Sequence, residues 1–320
     1  MRLFLLLVAL PVSLLAQAPT YAHAKQQFDG RNYDAARREL TALTSANPAD
    51  VPSIILLGRI ALNEGDIDQG VQQFERCVRV DDNSADCHFW LGNALGNAAQ
   101  RANRFRQGLL ARRVKTEFER AVAIDPHRVE ARIGLVQFYM LAPGFLGGSM
   151  EKAREQAAEI DRRNRHRGAI ALGTIAEHEK DGAGAEAAYR RAIVAAPDSG
   201  GGYYALITLY AKERRWTDAF TTADRLAAAM PADRTPLLVI GRLAALSGEQ
   251  LPRGEQSLSQ WLAAPPKEAG DVAKASAHAR LGTVYERMGR RELARAEYQT
   301  ALRLDSRNED AKRGIDGLKG

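Results

Sequence analysis

The sequence predicts an all-helical array of repeated helix pairs. Three observations predict it: an apolar fraction rich in Ala and Leu, markers that recur every 34 residues, and Gly and Pro placed where helix pairs turn and end. The chain has 320 residues, 45% hydrophobic and 26% charged, a balance that excludes disorder and collagen. A single core rarely grows much beyond roughly 250–300 residues, so this length means two domains or an extended array. The period decides for the array.

The chain opens with Met1-Arg2, an almost unbroken apolar run from Leu3 to Leu15, and the small residues Ala16 and Ala18. That is the pattern of a secretory signal peptide. Cleavage after Ala18 would leave Pro19 first, so cleavage after Ala16 is expected and 1–16 is set apart from the fold. The run is short of the ~20 residues that span a bilayer. The mature chain is expected to be exported, periplasmic or secreted, without stable membrane insertion.

Beyond the signal segment the markers repeat. Leu57-Gly58 recurs 34 residues on as Leu91-Gly92, and Leu172, Leu206 and Ile240 keep the same step, as do Pro197, Pro231 and Pro265. Phe74, Phe118, Tyr189 and Tyr298 are each followed three residues later by a small residue: Cys77, Ala121, Ala192 and Ala301. Each marker has a physical reason. Gly58, Gly92, Gly173 and Gly282 let paired helices approach. The aromatics fill the space between units, where burial is worth roughly 1.5–3 kcal/mol each. Gly65, Gly248 and Gly289 suit a left-handed turn, and Pro48, Pro126, Pro197 and Pro231 end second helices. The units read 17–50, 51–84, 85–126, 127–165, 166–199, 200–233, 234–267 and 275–307, with a capping helix at 308–320. Leu91 to Phe118 is ten residues longer than Leu57 to Phe74, so both helices of the third unit should be extended. The seventh unit is weakened by Leu251-Pro252.

These markers resemble those of the tetratricopeptide repeat, a helix-turn-helix unit of 34 residues. The resemblance covers nearly the whole mature chain. It implies a right-handed superhelical solenoid of about eight units whose first helices line a concave groove for an extended peptide or partner helix. Carried over unit by unit, that phase places Arg59 and Asn63 in the groove, then Phe89, Asn93 and Asn97, then Phe138 and Tyr139. Thr174 and His178 follow, then Tyr204, then Arg242. Amides can bond a peptide backbone and Arg can hold a carboxylate. The set departs from the Lys/Asn pattern of chaperone-tail-binding members, so capture of a C-terminal carboxylate is not implied.

Signs of catalysis are weak. No two of the six histidines have the i, i+4 spacing of a zinc helix, and no cofactor is expected. His88, His127, His166 and His278 fall at repeat-equivalent places, which points to packing. The insertion from Ala142 to Ser149 lacks the Gly-Lys-Ser/Thr ending of a phosphate loop, and Ser149 reads as an N-cap. A site on this loop near His178, in an accessory or enzymatic protein, is the alternative to a non-catalytic scaffold. The formal charge of +6 is small for the length, so no nucleic-acid partner is expected. The expected partner is a protein or peptide. Cys77 and Cys87 stand at similar heights on adjacent antiparallel helices and are expected to form a disulfide.

If 1–16 directs export, cell fractionation should recover a processed chain beginning at Gln17 outside the cytoplasm. Full-length protein confined to the cytosol would contradict it.

Overall fold

A computed structural model describes residues 19–266 and 269–319; the signal segment lies outside them. Among the described residues there are seventeen α-helices, one short 3-10 turn and no strand. They divide after Gly148 into two units. The first holds α1 (Tyr21–Asp29), α2 (Tyr33–Ala46), α3 (Val51–Glu64), α4 (Ile67–Val80), α5 (Ala85–Arg101), α6 (Arg104–Ile124), α7 (Val129–Leu141) and the 3-10 turn Gly144–Leu146. The second holds α8 (Met150–Arg163), α9 (Arg165–His178), α10 (Gly182–Ala195), α11 (Gly200–Lys212), α12 (Trp216–Ala229), α13 (Thr235–Ser247), α14 (Leu251–Ala263), α15 (Asp271–Arg287), α16 (Arg291–Leu304) and α17 (Glu309–Gly317). The longer third unit appears as a 17-residue α5 and a 21-residue α6, against 14 residues in each of α3 and α4.

Local chemistry sets the helix ends. Asp50, Asp66, Ser84 and Asn103 accept a backbone N–H three residues on, as do Ser149, Asn164, Asp181 and Asn308 in the second unit. Such caps contribute about 1 kcal/mol apiece. Gly65 and Gly289 turn α3 into α4 and α15 into α16 at φ 83° and 76°. Lys180 and Arg214 make the equivalent turns at φ 63° and 58° without glycine. Pro252, which breaks the repeat pattern, sits in the first turn of α14, where a missing N–H costs no helical hydrogen bond.

Packing within the hairpins that lie inside either unit rests on one pair of positions. A Cβ on Gly58 would stand 2.6 Å from the Phe74 ring, and one on Gly92 2.9 Å from Phe118. In the second unit Gly173 faces Tyr189, Gly241 faces Leu258, and a Cβ on Gly282 would meet Tyr298 at 2.7 Å. At the same two register positions, α1 and α2 carry Ala24 and Leu40, whereas α11 and α12 exchange the sizes as Ile207 and Ala223, all four buried. A second small residue closes two of the rings from the other side: Gly134 lies over Phe118 and Gly314 over Tyr298.

Rings that carry a hydroxyl also need a partner, and the sequence supplies one. Tyr189 donates to Glu177 at 2.5 Å and Tyr298 to Glu286 at 2.7 Å, each glutamate lying four residues after the facing glycine. Burial and then the glutamate raise both phenol pKa values. Where the ring is Phe74 or Phe118, that position holds Leu62 or Gly96. Polar demand inside the core is thus matched one repeat at a time.

First helices of successive hairpins touch: α1 with α3, α3 with α5 and α5 with α7 in the first unit, and α9 with α11 and α13 with α15 in the second. They form one layer, and the second helices form the other. Cys77 on α4 and Cys87 on α5 are disulfide-bonded, their Cα atoms 5.4 Å apart, in a small core with Ile54. Replacing both cysteines by Ala should lower unfolding free energy by roughly 2–3 kcal/mol, the chain-entropy value for so short a loop. A denaturant melt of the oxidised protein that is unchanged in the double variant would contradict this contribution.

Candidate functional site

In the first unit the first-helix layer presents a ladder of arginine and aromatic rings. Arg59 on α3 holds its guanidinium 4.7 Å from the centre of Phe28 and 4.8 Å from that of Trp90. Trp90 stacks on Phe74 at 5.9 Å and meets Phe89 edge-on at 5.1 Å. Arg128, just before α7, lies 4.6 Å over Phe89 and pairs with Asp86 at 2.5 Å. Each such cation–ring contact is worth about 0.5–1 kcal/mol or more when shielded. Phe28 and Trp90 escape the repeat phase because each reaches Arg59, the groove residue of a neighbouring hairpin.

Beside the ladder, Asn63 and Asn97 are exposed and Asn93 is half-buried. Asn97 Nδ2 donates to the Asn93 carbonyl at 3.1 Å and Asn93 Nδ2 to the Phe89 carbonyl at 3.4 Å, one turn back in each case. These local bonds fix the amides, and their carbonyl oxygens are left to accept from a backbone. Phe138 and Tyr139 differ from the groove assignment. They are 8% and 5% exposed, and the Tyr139 hydroxyl donates to Glu119 at 2.9 Å. Six residues of α7, from Ala131 to Tyr139, are buried, so these two side chains fill the interior.

In the second unit Thr174 and His178 are exposed on α9, and the Thr174 hydroxyl donates to the Ile170 carbonyl at 2.9 Å. Tyr204 and Arg242 line a shared hollow of about 300 Å³ with Leu238, Val239 and Arg280. Arg280 was missed by the repeat phase. Most other arginines here are paired: Arg215 with Glu186 and Asp218, Arg253 with Asp224, Arg290 with Glu255. Burial would push the Glu186 carboxyl up, but hydrogen bonds from Arg215 and Tyr210 outweigh it and hold the pKa below the usual carboxylate range.

Three of the histidines make structural hydrogen bonds. His88 Nδ1 lies 2.6 Å from Glu117 and His278 Nδ1 2.6 Å from Glu297, each glutamate immediately preceding the ring of its own hairpin. His166 Nδ1 donates to the Ala192 carbonyl at 2.9 Å. In the insertion, the 3-10 turn ends at Gly147, φ 98°, and Ser149 caps α8 by accepting from the Lys152 N–H. Gly148 packs against the Ala142 carbonyl so closely that no side chain fits. No cluster of three or more metal-ligating side chains occurs among the described residues. No described helix is long and apolar enough to cross a membrane.

Comparison with known proteins agrees with this geometry. Tetratricopeptide repeat models match residues 51–84 and 275–308, the hairpins α3–α4 and α15–α16. No curated protein matches the sequence. Among solved structures, a tetratricopeptide repeat protein from Parabacteroides merdae is 14% identical, with TM-score 0.51 over 84% of this chain and 99% of its own. A thermophilic tetratricopeptide protein of Thermus thermophilus, TTC0263, is 17% identical, with TM-score 0.50 over 59% of this chain and 95% of its own. Such distant likeness speaks for the fold alone. With the two repeat matches, the helix-pair architecture and the Gly–aromatic register, the chain is a tetratricopeptide repeat protein.

Proposed function

We propose that the protein is a non-catalytic scaffold that binds a partner protein or peptide along its first-helix layer, outside the cytoplasm. The observation that carries this is the Arg59–Trp90–Phe89 ladder flanked by Asn63, Asn93 and Asn97. Fixed aromatic area beside oriented amides is the chemistry of peptide recognition: rings supply burial at small entropy cost, and amides read a backbone. The Gly–aromatic register pairs the helices of each hairpin, and Asn63 and Asn97 are left exposed beside the ladder. Export is supported by the apolar run behind Met1-Arg2 and by the Cys77–Cys87 bond, which suits an oxidising compartment.

The test is affinity capture from the native envelope with the purified mature chain and a variant carrying Asn63→Ala, Asn93→Ala and Asn97→Ala. The variant should keep the parent's circular dichroism and lose the specific partner at least tenfold, about 1.4 kcal/mol. Equal capture by the folded variant would move binding to another face.

A further inference from the structure

The hollow between α11, α13 and α15 joins two like charges without joining them to a counter-ion. Arg242 and Arg280 both line it, and among the described residues neither has a carboxylate within ion-pair reach. The Arg242 Nε–H is buried and meets no acceptor. Burial, and then the charge of Arg242, lower the Arg280 pKa, and Asp310, itself paired with Arg313 at 2.5 Å, opposes this at longer range. Asp233 stands at the rim, but it is occupied by the Thr235 hydroxyl at 2.6 Å and the Tyr204 hydroxyl at 3.5 Å. Two half-buried guanidinium groups side by side cost stability unless something anionic joins them. The rest of the lining includes the aliphatic side chains of Ile207, Leu238 and Val239.

We propose that this hollow is a carboxylate pocket that receives the side chain of a Glu or Asp flanked by an aliphatic residue, within a segment bound along the first helices of the second unit. The proposal rests on the scaffold reading and adds the chemistry of what is bound. A guanidinium presents donors in a planar fork that matches a carboxylate, and the orphaned Nε–H is one such donor. A volume of about 300 Å³ accommodates one acidic side chain and part of its neighbour, not a folded partner. The aliphatic wall shields the ion pair from water, which strengthens it relative to a surface pair.

The probe is the peptide acetyl-Leu-Glu-Leu-amide, titrated into the mature chain while the arginine Nε–H resonances are followed by NMR, with acetyl-Leu-Gln-Leu-amide as its neutral match. The glutamate peptide should shift the Arg242 and Arg280 signals saturably, and the glutamine peptide should bind at least tenfold more weakly. Arg242→Met or Arg280→Met keeps side-chain length, should abolish the preference, and should leave melting temperature unchanged or higher because a like-charge contact is removed. Equal binding of the two peptides, retention of the preference in both variants, or a fall in melting temperature that marks the pair as structural would each overturn the proposal. Loss of envelope capture in the Asn63/Asn93/Asn97 variant together with no glutamate preference would leave the scaffold reading standing and refute the pocket. Glutamate preference with unchanged capture would support the pocket and move partner binding away from the Asn63, Asn93 and Asn97 face.

Discussion

The whole arrangement depends on one steric pairing, a small residue on the first helix of a hairpin facing a large one on the second. Helix pairs come this close only where one partner gives up its side chain, and interiors tolerate neither voids nor overlap. Gly58 with Phe74 and Gly173 with Tyr189 satisfy this in the same sense. Ile207 with Ala223 reverses the sizes and keeps their complementarity. The reversal matters, because it shows that the combined volume is held and not the identity of either residue. Gly134 over Phe118 and Gly314 over Tyr298 extend the same rule to the next helix along, so each ring joins neighbouring hairpins as well as its own pair.

Stability drawn from this register leaves the open side of the first helices available for recognition. Arg59 shows the difference: it lies between Phe28 and Trp90, anchored by rings from two neighbouring hairpins rather than by a carboxylate. Arg215, by contrast, is held by Glu186, Glu213 and Asp218. Paired arginines such as Arg113 with Glu75 and Arg253 with Asp224 knit neighbouring second helices together. Arg242 and Arg280, on first helices of the second unit, have no counter-ion among the described residues, and there a bound chain would supply what is missing.

The repeat was legible in the sequence because its markers are residues the backbone itself demands. Glycine at a close crossing and proline beyond a helix end leave few substitutes, so they recur at a visible period. Turns made by Lys180 and Arg214 at positive φ leave no such trace, since ordinary residues can be held there by the surrounding hairpin at a cost of roughly 1–2 kcal/mol. The surface was less legible. Phase identifies equivalent positions but not which faces neighbours already cover, and so it places Phe138 and Tyr139 on α7 in the groove although they are interior. Trp90 and Arg280 act across hairpins, through contacts between residues that a single-repeat alignment never places together.

A double-mutant cycle on Gly173 and Tyr189, read by denaturant melts, tests the pairing most directly. Gly173→Ala should destabilise by about 1–3 kcal/mol through overlap with the ring, and Tyr189→Leu by a similar amount through lost volume and the lost hydrogen bond to Glu177. Combined, the two should cost less than their sum by about 1 kcal/mol or more, since the smaller side chain makes room for the added methyl. Gly96→Ala, where a Cβ would meet nothing within 4 Å, serves as the reference and should be neutral or stabilising. Strict additivity of the pair, or a Gly173→Ala effect no larger than that of Gly96→Ala, would contradict the account.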